Sequence, residues 1–299
     1  QMCIRDSSSS LFVTMTSPGV IYKNLIIVGS SVSEGNPAAK GNIRAFDANT
    51  GDLKWSFNTI PEIGEDGHET YSDPDAYKRL GGANAWSGLT LDEERGILYA
   101  PTGSVSYDFY GGDRVGDNLF ANSIIALSAE TGNKIWHFQT VHHDVWDRDL
   151  PAPPILFDYS MNDSIIPSLA QVTKSGYIYL LNRITGKPLY KIIERPVPSK
   201  SNLEGEVLSK TQPIPTFPDP FSRQSLTKND INSFVIERER DSLIKIFTSL
   251  LKDDIFSPPS EEGTLIFPGF DGGAEWGGPA LDPITVSYTH LTLPTKVTV

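Results

Sequence analysis

Residues 141–154, which read VHHDVWDRDLPAPP, concentrate side chains capable of acid–base chemistry. Two histidines, three aspartates, an arginine and a tryptophan precede a proline-rich turn, and the flanking segments read as plain strands. Catalytic groups are often carried by loops that a rigid scaffold positions. Imidazole and carboxylate acceptors beside an apolar wall such as Trp146 suit general-base catalysis. The alternative is a solvated turn whose aspartates cap backbone amides.

The adjacent histidines of this loop, His142 and His143, raise the question of a zinc site. Neighbouring residues of an extended segment point to opposite faces, so a metal shared by the two rings is not expected. We expect instead that one imidazole orients the loop.

Composition places this 299-residue chain among globular, turn-rich proteins. It is 38% hydrophobic, enough to bury a sizeable core, and its 25 glycines and 22 prolines with few helical patterns favour an all-β architecture. The net charge of −12 argues against a nucleic-acid partner, because binding phosphates requires clustered lysine and arginine. No apolar run approaches the roughly 18 residues of a membrane helix. Cys3 is the only cysteine, which excludes an intrachain disulfide.

Both ends of the chain differ in character from the rest. Residues 1–7 (QMCIRDS) and 286–299 (VSYTHLTLPTKVTV) resemble translated adaptor tails of shotgun reading frames. We therefore predict one domain over residues 8–285 between two adaptor-like tails, and give Cys3 and His290 no functional weight. On this expectation the chain is an internal fragment. The alternative is that residues 286–299 form a true terminal strand.

Three segments repeat one design of strand, Thr-Gly turn and returning strand with an aromatic residue. The turn glycines are 81 and 54 residues apart (132 − 51 and 186 − 132). The larger gap contains an insertion over residues 61–83. Recurrent hairpins of this kind, with four strands in each repeat, predict propeller blades. The repeats, each with its glycine and the aromatic residue four positions later, are 43–57 (Gly51, Trp55), 124–138 (Gly132, Trp136) and 178–192 (Gly186, Tyr190).

Other segments fill the spaces between and after the repeats. One convincing helix is predicted over residues 233–252, where Phe234, Ile244, Phe247 and Leu251 form an apolar stripe that would pack on the side of the propeller. The remaining expectations are strands at 20–32 around a Lys23-Asn24 turn, at 98–101 and at 171–179, an extended proline-rich excursion at 197–220, and strand with glycine-rich turns at 263–282. Glycines around Trp276 suggest close approach of backbone or ligand.

The first repeat contains residues 45–55, AFDANTGDLKW, which resemble the AxDxxTGxxxW tryptophan-docking motif of quinoprotein dehydrogenases. These proteins are periplasmic eight-bladed propellers that bind pyrroloquinoline quinone (PQQ) with a divalent metal. Residues 141–154 and 257–278 (SPPSEEGTLIFPGFDGGAEWGG) are most similar to the membrane-bound glucose dehydrogenase branch. The resemblance spans nearly everything between the two tails. It implies an all-β partial propeller, roughly half of eight blades, with one peripheral helix.

The resemblance also implies a metal site. Glu34 ends the run GSSVSE and matches the strand-end carboxylate that ligates calcium or magnesium in the family; hard cations prefer such oxygen ligands. The alternative is a solvated loop acid. The methanol-oxidising branch takes a second ligand from an Asn after a Gly, a place that Ser104 occupies here. This departure leaves the second ligand open, since neither Ser106 nor Asn122 clearly replaces the Asn.

The cofactor contacts follow in the same way. Trp86 matches the tryptophan that forms the floor under the planar cofactor, and its large apolar face suits such stacking; the alternative is a core tryptophan of a blade. Ser106 lies near a family position that hydrogen-bonds the cofactor. Lys174 matches the basic residue that contacts the quinone oxygens. Asp271 and Trp276, from the run 257–278, complete the expected cofactor-binding residues.

Asp147 falls on the family's catalytic base, with Asp144 and Asp149 as the alternatives. The resemblance therefore implies PQQ-dependent oxidation of a sugar or polyol hydroxyl. Asp147 would take the proton, hydride would pass to the quinone, the metal would act as Lewis acid, and Lys174 would stabilise the developing oxyanion. The alternatives are a PQQ-dependent alcohol dehydrogenase and a non-catalytic propeller scaffold.

The partners implied by the resemblance are a small sugar or alcohol substrate and an electron acceptor, ubiquinone or cytochrome c. Its implied location is the periplasm, with anchoring to the inner membrane through a segment missing from this chain.

Overall fold

A computed structural model describes residues 11–161, 163–282 and 287–290 of the chain. Most regular structure in these residues is short antiparallel strand. The strands are β1 Val13–Thr14, β2 Val20–Tyr22, β3 Leu25–Val28, β4 Ser31–Val32, β5 Ile43–Asp47, β6 Leu53–Phe57, β7 Thr90–Asp92, β8 Ile97–Pro101, β9 Ser123–Ser128, β10 Lys134–Gln139, β11 Ile155–Met161, β12 Ser164–Val172, β13 Ile178–Asn182, β14 Ile192–Pro196, β15 Thr211–Pro215, β16 Pro279–Asp282 and β17 Ser287–His290. The helix α1 is Glu237–Ser249, and single 3₁₀ turns are His68–Thr70, Ala76–Lys78 and Lys228–Asp230.

Three of the sheets are successive propeller blades. The first has the order β2-β3-β5-β6 and the second the order β7-β8-β9-β10, each four-stranded with every neighbour antiparallel. The third has the order β11-β12-β13. The prediction of an all-β partial propeller is therefore confirmed. Smaller pairs are β1-β4, β14-β15 and β16-β17.

Side-chain alternation along the middle strands packs the blades face to face. In β9, Ile125 and Leu127 belong to a core shared with the first blade, whereas Ile124 and Ala126 belong to a core shared with the third. Successive residues of a strand point to opposite faces of the sheet. A strand with blades on both sides must therefore be apolar at nearly every position, as the sequence SIIALS is.

The Thr-Gly turns dock each blade on the next. Trp55 donates a hydrogen bond from Nε1 to the carbonyl of Ala129 (3.3 Å), and Trp136 donates to the carbonyl of Arg183 (3.1 Å). Ala129 and Arg183 occupy the same place in their own turns. In each case the indole also lies against the turn glycine of the next repeat, which leaves no room for a side chain there. The repeats predicted from sequence thus form one continuous chain of contacts.

The third repeat departs from the pattern after its turn. Tyr190 was expected on a returning strand, but only an isolated bridge from Leu181 to Pro188 follows the turn. Pro188 has no N–H to donate to the ladder, which shortens the pairing. Tyr190 instead shares a hydroxyl hydrogen bond with Tyr159 (2.6 Å) and packs on Phe217.

Two further expectations are corrected by the structure. The predicted extended excursion at 197–220 contains β15, which pairs with β14 despite its prolines. The predicted helix is shorter, Glu237–Ser249, and none of its residues is buried. The expected packing of its stripe is wrong: Ile244 and Phe247 are only half-buried, and Phe234 lies outside the helix with 93% of its surface exposed.

The proposed first tail, residues 1–7, lies outside the described residues, as does most of the second. Within the second, β17 pairs with β16. The domain limits of 8–285 stay a prediction. Among the described residues, no helix has the length and apolar character needed to cross a bilayer.

Candidate active site

Loops from all three blades meet around a cavity of about 430 Å³. Seven of the eight residues predicted for the site contribute to its wall. They arrive on separate connections: the strand end after β4, the loop before β7, the loop after β8, the connection from β10 to β11, the turn between β12 and β13, and the run 257–278. The seven residues are Glu34, Trp86, Ser104, Ser106, Asp147, Lys174 and Asp271.

Asp147 and Lys174 form an ion pair in the wall of the cavity. The Lys174 ammonium lies 2.9 Å from Oδ1 and 3.0 Å from Oδ2 of the carboxylate. Burial and the negative charge of Asp149 raise the pKa of Asp147 to about 8, although Lys174 lowers it. Asp147 also has a left-handed backbone (φ 55°), a conformation that is costly outside glycine and is often found at functional sites.

A close backbone approach fixes Lys174. Gly272 lies so near that a Cβ there would be 2.6 Å from the Cα of Lys174, and the N–H of Gly273 donates to the carbonyl of Lys174 (2.8 Å). The close approach expected from the glycine-rich run is therefore present, and it positions the ammonium.

Trp86 and Asp149 also line the cavity, and they are hydrogen-bonded to each other. The Nε1 of Trp86 donates to Oδ2 of Asp149 (2.7 Å), and the backbone N–H of Ser104 donates to Oδ1 (2.7 Å). The ring of Trp86 is half-buried, and the Lys174 ammonium lies 6.0 Å from its centroid. Trp86 thus borders open space and is not enclosed like a core tryptophan.

Asp144, one alternative base, is 2% exposed and does not line the cavity. Its carboxylate accepts hydrogen bonds from the backbone N–H groups of Trp146 (3.0 Å) and Arg148 (2.7 Å) and from the amide of Asn122 (2.8 Å), besides the hydroxyl of Ser104. Because the Asp144 carboxylate accepts all these hydrogen bonds, its role is to order the loop. Asp149 is the alternative base that does face the cavity.

Negative charge dominates the cavity wall. Among the described residues that line it, six are carboxylic acids and Lys174 alone is cationic. Burial, together with Asp149, Asp144 and Glu34, raises the pKa of Asp108 to about 8. Burial likewise raises the pKa of Glu275. Crowded carboxylates raise one another's pKa, so an added cation would be favourable here.

The hydroxyls expected near the metal and cofactor have protein partners. Ser104 Oγ donates to Asp144, and Ser106 Oγ donates to the carbonyl of Ser33 (3.0 Å), which directly precedes Glu34. Among the described residues, no group of three or more His, Cys, Asp or Glu side chains is arranged to hold a metal. The oxygen atoms that line the cavity together with Glu34 come from several loops and include the hydroxyl groups of Ser104 and Ser106.

Trp276 lies outside the cavity wall, and several residues of the wall were not predicted from the sequence. Trp276 is 71% exposed and does not line the cavity, because the adjacent Glu275 takes the inward position. The residues missed are Asp108, Glu275 and the aromatic pair Phe109 and Phe270, whose rings meet edge to face at 5.8 Å. The acidity of the loop after β8 was the available signal for Asp108.

The two histidines of the loop have different partners, in keeping with their opposite orientations. His142 Nδ1 meets Oε1 of Gln139 (2.7 Å). His143 Nδ1 meets the carbonyl of Gly116 (2.8 Å), and its Nε2 meets Oε1 of Glu206 (2.7 Å). The histidine that orders the loop is thus His143.

The chain is similar in sequence to proteins of one enzyme family. A family model described as "PQQ: Glucose/ethanol/alcohol dehydrogenase, beta-propeller domain" matches residues 3–296. Quinoprotein glucose dehydrogenase A of Acinetobacter calcoaceticus is 36% identical over 282 residues, covering 90% of this chain and 34% of that protein. Quinate/shikimate dehydrogenase (quinone) of Acinetobacter baylyi is 37% identical over 274 residues, covering 90% and 33%.

The fold is also found in solved structures. Quinohemoprotein alcohol dehydrogenase from Comamonas testosteroni superposes with a TM-score of 0.62 at 24% identity, covering 91% of this chain and 36% of that one. The chain spans about a third of the length of the curated relatives it matches.

Proposed function

Because the chain belongs to the β-propeller family of PQQ-dependent glucose, ethanol and alcohol dehydrogenases, we propose that it binds PQQ with a divalent cation and oxidises a sugar or polyol hydroxyl. The observation that carries this proposal is the Asp147–Lys174 ion pair beside Trp86 in one cavity. A non-catalytic scaffold would have no need to hold a base, an ammonium group and a flat aromatic ring together.

The residues around the cavity fit both groups. The face of Trp86 offers a platform for a planar ring, and Lys174 offers a donor for its oxygens. The excess of carboxylates, with Glu34 and Ser104 among the lining residues, offers the oxygen donors that calcium or magnesium prefers. When bound, PQQ supplies the two-electron acceptor and the cation supplies Lewis acidity.

In this proposal Asp147 is the general base. The Lys174 ammonium favours the ionised carboxylate, which then accepts the hydroxyl proton of the substrate at Oδ1 or Oδ2. A pKa raised by burial makes Asp147 a stronger proton acceptor than an exposed aspartate, and a bound cation would bring that pKa back toward neutrality. Asp149 is held by Trp86 and Ser104, so it supports the site as a fixed negative charge.

For the substrate we propose a sugar or polyol. Two of the matched relatives are named for glucose and for quinate or shikimate, all ring compounds with several hydroxyl groups, and another is named for glycerol, an open-chain polyol. A PQQ-dependent alcohol dehydrogenase is the second candidate, favoured by the description of the matching family model, which includes ethanol and alcohol dehydrogenases. We further propose ubiquinone or cytochrome c as electron acceptor and a periplasmic location.

Reconstitution tests the proposal. The purified chain would be titrated with PQQ in the presence of calcium or magnesium, and dye reduction would be followed with D-glucose, quinate, glycerol and ethanol. We expect cation-dependent appearance of bound-quinone absorbance and faster dye reduction with the cyclic polyols than with glycerol. Absence of PQQ binding with either cation would overturn the proposal, and turnover with simple alcohols alone would favour the second candidate.

A further inference from the structure

A buried charged pair supports the loop that carries Asp147. His143 Nε2 lies 2.7 Å from Oε1 of Glu206, and the two side chains are 1% and 0% exposed. Glu206 belongs to the proline-rich excursion between β14 and β15, more than sixty positions further along the chain. Burial of two ionisable groups is expensive unless both are paired, so this contact has a structural purpose.

Both ring nitrogens of His143 have hydrogen-bond partners. Nδ1 faces the carbonyl of Gly116 at 2.8 Å, and a carbonyl can only accept. Nε2 faces Glu206, whose other oxygen already accepts from the N–H of Gly111 (2.7 Å). Burial raises the pKa of Glu206, but the hydrogen bonds from His143 and Gly111 outweigh it and leave that pKa lowered. Nδ1 therefore donates to the carbonyl of Gly116, and one proton is shared between Nε2 of His143 and Oε1 of Glu206.

The pair joins three segments at a point where nothing larger than hydrogen fits. A Cβ on Gly111 would lie 2.4 Å from Nε2 of His143 and 3.1 Å from Oε1 of Glu206. Gly111 follows the loop that carries Ser104 and Asp108, while His143 precedes Asp147 by four positions. Glu206 thus connects the acidic loop to the loop of the proposed base.

The surrounding charges balance the pair. The guanidinium of Arg114 interacts with Glu206 and Asp144, and it donates to the carbonyls of Asp144 (2.6 Å) and Tyr107 (2.7 Å). The guanidinium of Arg114 thus lies close to the carboxylates of both Glu206 and Asp144, and His143 contacts Glu206 directly. Removing one anion would leave a buried cation without its partner, which strongly disfavours the charged form.

We propose that Glu206 is a positioning residue which, as the partner of an imidazolium at His143, holds the loop of Asp147 in its working conformation. The loop needs such support because His143 and Asp147 both have left-handed backbones (φ 46° and 55°). Strained conformations of this kind persist only where surrounding contacts over-determine them. The expected effect of Glu206 on turnover rests on the proposed function. The charge state of His143 and the order of the loop can be measured without any enzymatic activity.

The test compares Glu206→Gln with Glu204→Gln, the same substitution at an exposed position of the same segment. Side-chain ¹⁵N NMR at pH 7 would report the imidazole of His143, and amide hydrogen exchange would report residues 142–149. We expect a doubly protonated ring in the wild type and in Glu204→Gln. In Glu206→Gln we expect a neutral ring and exchange at least tenfold faster. In the reconstituted enzyme, kcat should fall about tenfold with PQQ affinity unchanged.

Glu206→Asp keeps the carboxylate and provides the conservative rescue. It should retain the imidazolium and recover most of the protection of residues 142–149. If Glu206→Gln does not fold, the ring signal of His143 in the wild type decides the proposal. A neutral His143 in the wild type, or unchanged ring signal and exchange in Glu206→Gln, would overturn the proposal. If no variant turns over, wild type included, the proposed function fails while NMR and exchange still decide the role of Glu206.

Discussion

The Lys174 ammonium is shared almost equally by both oxygens of Asp147, at 2.9 and 3.0 Å, although 27 residues separate the two in sequence. Lys174 is held by the approach of Gly272, and Asp147 by the loop that Arg148 ties to the carbonyl of Pro268 (2.7 Å). Each partner of the ion pair is therefore held in position by its own contacts with the rest of the fold.

Replacing Asp147 by Asn removes the proposed base while keeping shape and hydrogen-bonding capacity. We expect turnover to fall roughly 10²- to 10⁴-fold, the usual contribution of general-base catalysis, with PQQ affinity little changed. Steady-state kinetics and PQQ titration measure the two effects. Asp253→Asn, at an exposed position, is the matched control. Full activity in Asp147→Asn would transfer the role to Asp149, because the carboxylate of Asp144 is fully engaged.

Removing the Lys174 charge should move the pH profile of the reaction. The ammonium lowers the pKa of Asp147, so Lys174→Met leaves that pKa higher than its present value of about 8. A base acts only when deprotonated, and the rising limb of kcat/KM should therefore shift to higher pH, by about one unit or more. Lys200→Met, at an exposed position, should leave the limb in place. An unchanged limb in Lys174→Met would show that the ammonium does not control the base.

The buried carboxyl of Asp108 should make the fold less stable at high pH. Its pKa is about 8 in the fold against 3.8 for a free aspartate, so the native state holds its proton more tightly. The resulting stabilisation is complete below about pH 4 and is lost as pH rises toward 8. Asp108→Asn removes the charge, and its unfolding free energy should exceed that of the wild type at pH 8 by about 1 kcal/mol or more, the value of one pKa unit.

Urea unfolding at pH 4, 6 and 8 measures this difference, with Asp219→Asn at an exposed position as control. Calcium should reduce the advantage of Asp108→Asn at pH 8, because a bound cation compensates the crowded carboxylates. If the difference in unfolding free energy between Asp108→Asn and the wild type does not grow from pH 4 to pH 8, the pKa of Asp108 is not raised.

The docking turns were predictable because their chemistry is local. Asp47 Oδ1 accepts from the N–H groups of Asn49 (2.9 Å) and Thr50 (3.2 Å), and Gly51 supplies the left-handed residue (φ 79°). Such contacts depend on residues within a few positions of one another. The convergence of Glu34, Asp147 and Lys174 came instead from the family resemblance, since neither spacing nor composition places distant loops side by side.

The features that the sequence did not predict depend on contacts between residues that are far apart in the chain. Glu206 reaches His143 from the proline-rich excursion, and nothing in the local sequence marks it. Trp276 was chosen for its type, yet its neighbour Glu275 faces the cavity. The stripe on α1 had the period of a packed helix, but no blade surface lies against it closely enough to bury a residue. The apolar periodicity correctly predicted that a helix forms here, but it did not predict that no residue of the helix is fully buried.

Gly132→Ala should cost more stability than Gly51→Ala, although both glycines are left-handed (φ 74° and 79°). Each substitution adds the strain of an alanine at positive φ, about 1 kcal/mol. At Gly51 the new methyl meets nothing within 4 Å, whereas at Gly132 it would lie 2.6 Å from ring atoms of Trp55. Overpacking of this kind typically adds 1–3 kcal/mol, and the Trp55 hydrogen bond to Ala129 would be strained with it.

The difference between the two variants therefore isolates the contact between blades from the backbone strain that they share. Urea unfolding free energies measure it, and Gly186→Ala should reproduce the larger loss, because its methyl would lie 2.7 Å from the ring of Trp136. Equal losses at Gly51 and Gly132 would mean that the blades hold together through their apolar faces alone. The docking turns would then serve local folding, and the order of the blades would depend on strands such as β9 that bury both faces.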